Sequence, residues 1–483
     1  MKRLISCVLA LLYIMAGFAS GTWILHGKEY RVDTLYHAYI GPGTTQTSIK
    51  LAGPVNLRVF YTTTDLKNEN VDVRAIKHKD TLTGLGTVSN AAESHSTSNR
   101  SYFAGINADF FSSSMPCGIT VVDGEVYCSD QASGWSLFGI DANKIPYSGG
   151  GDFYVKLTAP DYSTAELSAM NLERETNGLV LYSSRKGANT GTDGNGSEVV
   201  LIPDGEGNFL TPGATVRMRV QGNPNHAGSM PIPDNGYILS GSGTKESFVS
   251  NLSEGDEVEV RCAIRFNGFT GGKIQQALGG CPMLVSGGKV LDTENALDHL
   301  TSAQPRTAVG YNAEKNKLVM LVADGRSSIS VGPISKVLAD IMIYAGCSEA
   351  MNFDGGGSST FYVKGEGVIN QPSDGSERSV TDGFYFSTDA PQNYMTITTI
   401  RFMDYAKTLN QGDAYTPVIY GYNQYGVLVD RNVEGVTLSC GSSLGTITND
   451  GTTLNASGSG THMLTAGYGN LTTTLSVTVI GER

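Results

Sequence analysis

The chain has 483 residues, more than one ordinary domain needs, and its hydrophobic content of 40% can build a sizeable core. Its formal net charge of −12 disfavours a chain that binds nucleic acid through phosphate contacts, so no nucleic-acid partner is expected. The 60 glycines and short apolar runs rich in Ser, Thr and Tyr predict a β-dominated protein with many turns.

The N-terminus has the pattern of a secretory signal peptide. Lys2 and Arg3 precede the apolar run Leu4 to Ala16, and small residues follow around Ala19. The run is too short to span a membrane, and no later segment reaches that length. We therefore expect a signal peptide over residues 1–20, cleavage, and a bacterial protein that is secreted, periplasmic or held in the cell envelope.

Alternating strands are predicted from Thr22 onward, and one of them, Tyr102 to Ile106, ends at the polar island Asn107-Ala108-Asp109. Asp123-Gly124 then marks a hairpin turn between Cys117 and Cys128. The two cysteines could face each other across it and form a disulfide after export, whereas the other cysteines are expected to be buried thiols.

A second group of polar islands follows later strands. The strand Thr307 to Tyr311 opens with Pro305-Arg306, and Lys317 to Ala323 ends on Asp324. The apolar spacing from Gly332 to Cys347 predicts a helix that stops near Gly346. Strand, helix and strand in this order predict a crossover unit that places Asp324 and Asp354 at matching strand ends.

Three consecutive glycines follow Asp354. Glycines cost backbone entropy, but they let backbone N–H groups approach an anion closely. By itself the loop fits a tight turn as well as it fits an anion cradle.

Composition changes near Pro391, after which short alternating strands resemble the immunoglobulin-like modules of bacterial exported enzymes. We expect a catalytic domain over residues 22–390 and an Ig-like β-sandwich over residues 391–483. The expected fold class is α+β: a β-rich mixed-sheet catalytic domain with few helices, plus a small all-β sandwich.

Four islands in this order, around Asn107, Arg306, Asp324 and Asp354, resemble the phosphodiester glycosidase family. The resemblance covers roughly Arg31 to Phe386. It implies a hydrolase that cleaves the glycosidic bond of a sugar-1-phosphodiester and releases free sugar and a phosphomonoester. A glycan or sugar phosphate is the expected partner.

The residue types suit that chemistry, because an oxocarbenium-like transition state needs carboxylates and a phosphate needs anion binding. Asp354 is the first candidate for the direct chemical role, and Asp324, Asp109 and Arg306 complete the catalytic set. The expected substrate-binding residues are Asn107, Asn352, Gly355, Gly356, Gly357, Ser358, Ser359, Arg185, Thr192, Glu198 and Arg378.

Two alternatives stay open on the sequence. Three aspartates at different strand ends could bind a divalent cation such as Ca²⁺ or Mg²⁺, as in a metal-dependent phosphodiesterase. The same pocket could instead belong to a non-catalytic envelope protein that binds carbohydrate or phosphoglycan.

Overall fold

The protein is described from a computed structural model, which covers residues 21–130, 134–205, 209–267, 269–270, 272–293 and 301–481. The expected signal peptide, residues 1–20, lies outside the described residues. The fold is β-rich with few helices and combines antiparallel and mixed sheets, so the expected fold class is confirmed. No helix among the described residues has the length and apolar character needed to cross a membrane.

One antiparallel sheet carries most of the sequence islands. Within the described chain it has nine strands, which in sheet order are Gly21–Leu25, Lys28–Gly41, Thr44–Ala52, Asn56–Asp65, Lys317–Ala323, Arg306–Tyr311, Glu349–Asn352, Met283–Ser286 and Lys289–Val290.

A larger sheet forms the second layer. Its central path in sheet order is Glu125–Cys128, Thr120–Val122, Ile274–Gly280, Ser136–Asp141, Pro146–Thr158, Glu257–Phe266, Thr215–Asn225, Ser197–Pro203, Tyr237–Gly241, Leu179–Tyr182 and Ala169–Met170. Two further strands, Thr164–Glu166 and Phe269–Thr270, pair at its side. The last pair on the path is parallel, which makes this sheet mixed.

A five-stranded sheet carries the remaining island, around Asn107. Its order is Gly367–Val368, Phe361–Val363, Ser101–Asn107, Asp382–Thr388 and Asp72–Lys77. A small hairpin, Phe111–Ser112 with Met115–Pro116, follows the central strand. One core cluster joins aromatic residues of this sheet to residues of the other two, including Phe103, Phe353 and Phe384.

The described helices are short. The α-helices are Val88–His95, Glu246–Ser250 and Ser335–Tyr344, and the 3₁₀ turns are Ser184–Lys186, Gly243–Lys245 and Gly356–Ser358. Helix Ser335–Tyr344 buries its apolar stripe against the nine-stranded sheet. The sequence predicted this helix about three residues longer at each end, and its predicted stop is confirmed, because Gly346 has a left-handed φ of 99°.

The C-terminal strands have a core of their own. They form three small sheets: Thr399–Phe402, Ile419–Tyr422 and Leu428–Asp430; Ala406–Asn410, Leu471–Ile480, Gly460–Tyr468 and Thr437–Cys440; and Ala414–Tyr415, Thr453–Ala456 and Gly445–Thr448. Tyr422 Oη donates to the Tyr39 carbonyl at 2.8 Å, which joins this unit to the nine-stranded sheet. The immunoglobulin-like assignment and the boundary near residue 391 stay predictions.

The predicted crossover brings the islands around Arg306, Asp324 and Asp354 to the same end of three neighbouring strands. Strands Lys317–Ala323 and Glu349–Asn352 both run antiparallel to the strand between them, Arg306–Tyr311, and therefore run in the same direction. Their C-terminal ends, which precede Asp324 and Asp354, lie at the edge where the central strand begins with Arg306. The matching strand ends are confirmed, with one strand inserted between them.

The predicted hairpin is also present, but its cysteines are not joined. Asp123 and Gly124 both have positive φ, at 51° and 84°, which suits a two-residue hairpin turn. The register pairs Cys128 with Thr120 rather than with Cys117, and both cysteines are free thiols. The suggested cross-hairpin disulfide is therefore absent from the structure.

Packing of Phe353 in the core should stabilise the end of the strand that carries Asp354. Phe353 is fully buried and meets Phe384 edge-on, with ring centroids 6.4 Å apart. Phe353→Ala should lower the free energy of unfolding by about 3–5 kcal/mol because it leaves a cavity. Denaturant unfolding measures this, with Phe209→Ala, at a 47% exposed position, as the control. Equal effects from the two variants would contradict the packing described.

Candidate active site

The centre of the site is the loop from Asp354 to Ser359, which leaves the nine-stranded sheet and enters the five-stranded one. Asp354 N–H donates to the Ala108 carbonyl at 2.9 Å, so the loop starts against the Asn107 island. Asp354 itself is partly exposed, whereas Gly357, Ser358 and Ser359 are buried. The loop therefore presents one carboxyl side chain from a rigid base.

Asn107 holds this loop through three hydrogen bonds of its side-chain amide. Its Nδ2 donates to the Asp354 carbonyl at 2.7 Å. Its Oδ1 accepts from Thr307 Oγ1 at 2.7 Å and from the Thr360 N–H at 3.1 Å. Because the side chain is fully buried and makes these three bonds, Asn107 orients the loop, and its expected contact with substrate stays a prediction.

Burial dominates the electrostatics of Asp354. It raises the pKa of this carboxyl to about 6, while a hydrogen bond from Ser358, the charge of Arg378 and the Gly355 N–H oppose the shift. The group is thus poised to be ionised at neutral pH and protonated in mild acid. A carboxyl of this kind suits a general base or nucleophile.

Arginines, not only backbone N–H groups, surround the three glycines. A Cβ on Gly356 would lie 3.0 Å from Arg326 Nη2, and a Cβ on Gly357 would collide with Arg378 Nη2 and Asp374. A Cβ on Gly355 would lie 2.7 Å from the Pro305 carbonyl oxygen. Glycine at positions 356 and 357 therefore lets guanidinium groups approach the main chain, and glycine at position 355 lets the Pro305 backbone do so.

The predicted N–H cradle is smaller than the sequence indicated. The Gly356 N–H donates to the Pro305 carbonyl at 2.9 Å, and the Ser358 N–H donates to the Gly355 carbonyl at 3.2 Å within a 3₁₀ turn. The Gly355 N–H contacts the Asp354 carboxyl. Since these groups are engaged within the protein, arginine side chains are the stronger candidates for holding an anion.

Arg306 is almost wholly buried beside a second cation. Burial, and then the charge of Arg326, lower the pKa of Arg306 to about 10. Arg306 Nη2 donates to the Ser302 carbonyl. Two guanidinium groups this close favour an anion between or beside them.

Asp324 lies at the predicted end of its strand, but its carboxyl is engaged by residues 370 and 371. Its Oδ1 accepts from the Gln371 N–H at 2.9 Å and from Asn370 Nδ2 at 3.4 Å, and burial raises the pKa of the carboxyl. Asn370 in turn receives the Phe361 N–H and donates to the Ser359 carbonyl. Asp324 therefore supports the far side of the glycine loop.

Two other predicted residues support neighbouring backbone. Asn352 Nδ2 donates to the Cys281 and Phe353 carbonyls, both at 2.7 Å. Ser359 Oγ lies 3.3 Å from Thr307 Oγ1, the hydroxyl that donates to Asn107. Both side chains are buried in the base of the loop.

Three predicted substrate-binding residues form separate networks. Arg185 makes two bonds to Glu125 Oε2, at 2.9 and 2.7 Å, and one to the Asp80 carbonyl. Glu198 accepts from Thr192 Oγ1 at 2.8 Å and from the Met230 N–H at 3.2 Å. Since these bonds are local, the structure does not join them to the Asp354 loop, and their role in binding stays a prediction.

Two cavities border Glu125, the residue that pairs with Arg185. One of about 540 Å³ is lined by Glu125, Ser183, Asp234 and Tyr237 among others, and another of about 310 Å³ is lined by Lys77, Tyr127 and Arg185 among others. The second cavity reaches Lys77, which pairs in register with Asp382.

Asp382 and Lys77 are buried charged residues near Asp109 that sequence reasoning did not single out. Asp382 begins the strand beside the Asn107 strand, and its Oδ1 accepts the Asp109 N–H at 2.9 Å. Both carboxyl groups are buried. Asp382 precedes Gly383, and this Asp-Gly pair at a strand start was the available signal, but nothing local marks it as facing Asp109.

Burial raises the pKa values of Asp109 and Asp382, and neighbouring charges modify both. The pKa of Asp109 is raised well above its ordinary value by burial and then by the charge of Asp382. Burial raises the pKa of Asp382 to about 6, whereas the charge of Lys77 lowers it. Lys77 is also buried, and its Nζ donates to the Thr381 and Gly84 carbonyls at 3.1 and 3.2 Å.

A divalent-cation site is not evident in the geometry. Among the described residues, no three His, Cys, Asp or Glu side chains are grouped as a metal ion would need. The predicted aspartates also do not form one group, since Asp324 faces residues 370–371 while Asp109 faces Asp382.

Comparison with known proteins finds a family match over a region that includes Arg306, Asp324 and Asp354. Residues 212–387 match the family model described as phosphodiester glycosidase, which confirms the resemblance seen in the sequence and supports a hydrolase-type function. An uncharacterized SPbeta prophage-derived protein, YomE, of Bacillus subtilis (strain 168) is 40% identical over 83 residues. That stretch is 17% of this chain and 13% of the relative.

Two solved structures share the fold. A protein from Burkholderia pseudomallei K96243 that is named as exported has a TM-score of 0.56 at 17% identity, over 76% of this chain and 98% of that one. A hypothetical protein from Synechocystis has a TM-score of 0.55 at 15% identity, over 72% of this chain and 62% of that one.

The buried acids make a prediction about stability. A carboxyl whose pKa is raised by folding holds a proton that the unfolded chain releases, so its stabilising effect is full below about pH 4 and is lost as pH rises through about 6. Asp382→Asn removes this titration and part of the shift at Asp109. Relative to wild type, the variant should therefore gain thermal stability between about pH 4 and about pH 7.

Thermal unfolding at several pH values measures the difference. Asp450→Asn, on an exposed turn, is the matched control and should follow the wild-type curve. Parallel curves for Asp382→Asn and wild type would show that Asp382 does not carry the raised pKa.

Proposed function

We propose that this chain is an exported hydrolase that cleaves the glycosidic bond of a sugar-1-phosphodiester, releasing free sugar and a phosphomonoester. The observation that carries the proposal is the placement of Asp354 at the start of a glycine loop that Arg326 and Arg378 approach from other segments. Its partly exposed carboxyl, with a pKa of about 6, follows one strand of the nine-stranded sheet and stands beside the arginine-lined glycines. The family match over residues 212–387 supports the reaction class.

The arginines would hold the substrate phosphate. Arg378 Nη1 lies 3.4 Å from Ser358 Oγ and Arg326 lies beside Gly356, so both guanidinium groups lie at the loop, where Arg378 is also paired with Asp374. Guanidinium groups bind phosphate oxygens in a fixed planar geometry. A phosphodiester held there would have its anomeric carbon close to Asp354.

Asp354 would then act on the anomeric carbon. In its ionised form it can stabilise an oxocarbenium-like transition state, and it can activate water or form a covalent intermediate. The C1–O bond breaks, the phosphomonoester leaves, and water supplies the hydroxyl group of the free sugar. Asn107 and Asp324 hold the loop so that this carboxyl keeps its position.

The N-terminal sequence pattern supports export. Lys2 and Arg3 before an apolar run are typical of a secretory signal, and the acidic chain suits an extracytoplasmic glycan or sugar-phosphate substrate rather than nucleic acid.

Asp354→Asn tests the chemical role. With labelled α- and β-sugar-1-phosphodiesters as substrates, the variant should lose about a hundred- to ten-thousand-fold in kcat, because it has no carboxylate. KM should change little, since the backbone bonds of the loop remain. The wild-type kcat/KM should fall about tenfold per pH unit below about pH 6, as Asp354 takes up a proton.

Asp450→Asn, on an exposed turn, is the control. An unchanged rate in Asp354→Asn would exclude the assigned role, and binding without turnover in wild type would favour the non-catalytic alternative.

Arg378→Gln tests the phosphate site. The variant should raise KM about tenfold, corresponding to about 1.4 kcal/mol, because one charged contact to the phosphate is lost. The effect should shrink as salt concentration increases. Steady-state kinetics with Arg31→Gln as control measure it, since Arg31 is an exposed arginine paired with Asp33. An unchanged KM would indicate that the backbone N–H groups, rather than Arg378, bind the phosphate.

A further inference from the structure

One aromatic pair lies outside the cores of the protein. Phe110 and Trp135 meet edge-on, with ring centroids 4.9 Å apart and ring planes at 68°. Both residues are half-buried, and neither belongs to a hydrophobic core cluster of the described residues. The pair therefore keeps part of its aromatic surface open to solvent.

Other residues of the same types show the contrast. Phe111, the next residue in the chain, packs against the core cluster that contains Tyr385. Trp23, the other of the two tryptophans, is 6% exposed and belongs to the core of the nine-stranded sheet. Burial of apolar surface accounts for Phe111 and Trp23, whereas it accounts for only part of the surface of Phe110 and Trp135.

Phe110 is close to Asp354 in the fold. The Asp354 N–H donates at 2.9 Å to the carbonyl of Ala108, two residues before Phe110. The Phe110 carbonyl accepts the Cys117 N–H at 2.8 Å. Burial raises the pKa of the Cys117 thiol to about 11, and the charge of Asp354 contributes to the shift. Backbone contacts on both sides of Phe110 therefore lead to the surroundings of Asp354.

A separate segment brings Trp135 to the same place. Trp135 directly precedes strand Ser136–Asp141, whose first residue pairs with Gly280. A Cβ on Gly280 would lie 2.5 Å from the carbonyl oxygen of Asn352, so the two backbones are in close contact there. Asn352 is the last residue of the strand that leads to Asp354. The aromatic pair therefore borders the strand end that carries Asp354.

The pair offers a surface of a different kind from the glycine side of the loop. Arg326 and Arg378 lie at the glycines, where they suit a phosphate. Two aromatic rings carry no charge and suit the apolar C–H face of a sugar ring, and an indole N–H can donate to a hydroxyl. Two side chains provide the area for one such ring rather than for a protein partner, since protein interfaces bury about 800 Å² on each side.

We propose that Phe110 and Trp135 form the sugar subsite, in which the apolar face of a pyranose ring packs on the two aromatic rings with its anomeric carbon towards Asp354. This inference rests on the proposed function and names the kind of ring that the substrate carries. Asp354 then lies between the sugar subsite and the arginines that hold the phosphate.

Kinetics of two Trp135 variants test the need for an aromatic face. Trp135→Leu keeps apolar volume but has no ring, so kcat/KM for sugar-1-phosphodiesters should fall about tenfold, which corresponds to about 1.4 kcal/mol. Trp135→Phe keeps a ring and should retain most of the wild-type value. Neither change removes a charge, so the loss should be the same at low and high salt, unlike that of Arg378→Gln.

Tyr162→Ala, at an 87% exposed position, is the control, and thermal unfolding checks that each variant is folded. A folded Trp135→Leu protein with the wild-type kcat/KM would overturn the inference. Equal losses in folded Trp135→Leu and Trp135→Phe would also overturn it, because an aromatic face would then not be what the substrate requires.

Tryptophan fluorescence tests the subsite without turnover. The probes are the methyl glycosides of glucose, mannose, galactose and their N-acetylamino analogues. At least one of them should change the emission of the wild-type protein saturably, because Trp135 is half-exposed while Trp23 is buried. Trp135→Phe, which keeps only Trp23, should not respond.

The outcomes separate the inference from the proposed function. Cleavage of a sugar-1-phosphodiester with no emission change for any glycoside would overturn the inference and leave the proposed function intact. An emission change that Trp135→Phe abolishes, with no phosphodiester cleaved, would count against the proposed function alone. An equal response in Trp135→Phe would overturn the inference, because the signal would then come from Trp23.

Discussion

The buried amide of Asn107 is the constraint on which the rest of the site depends. It binds the carbonyl of Asp354, the hydroxyl of Thr307 and the N–H of Thr360, and so joins three segments that are far apart in sequence. Without these bonds, the glycine loop would have buried polar groups and little to fix its path. The position of the Asp354 carboxyl follows from that fixed path.

The charges around the loop are arranged in two groups. Arg306, Arg326 and Arg378 lie on the glycine side together with Asp374, which pairs with Arg378, whereas Asp109 and Asp382 form a buried acidic pair. Such an arrangement attracts an anion to one side and keeps a carboxyl of raised pKa at the other. A sugar phosphodiester has the matching layout, with a charged phosphate next to a neutral ring.

The sequence predicted the elements that carry the site better than the contacts between them. The helix before Asp354, the strands that precede Asp324 and Asp354, and their common sheet edge follow from local periodicity and chain order. The pairing of Asp382 with Asp109 depends on the register of strands more than 270 residues apart, which no local pattern encodes.

Sequence reasoning also assigned roles that the geometry redistributes. The glycines indicated a backbone nest, yet the Gly356 and Ser358 N–H groups are used within the protein and arginines fill the space that side chains would take. Arg185, in a short 3₁₀ turn, and Glu198, at the start of a strand, bond to Glu125 and Thr192, and no bond joins them to the Asp354 loop in the described structure. The type of each residue suggested a chemical role, whereas its hydrogen-bond partners in the structure determine which groups it contacts.

The most direct test of the central claim is to identify which bond breaks. A sugar-1-phosphodiester would be hydrolysed by the purified protein in heavy-oxygen water, and the label located by mass spectrometry. Cleavage at the anomeric carbon, with Asp354 as the acting carboxylate, predicts the label in the free sugar and none in the phosphomonoester. Label in the phosphate, with release of a sugar phosphate or of unlabelled sugar, would contradict the account and identify a phosphodiesterase instead.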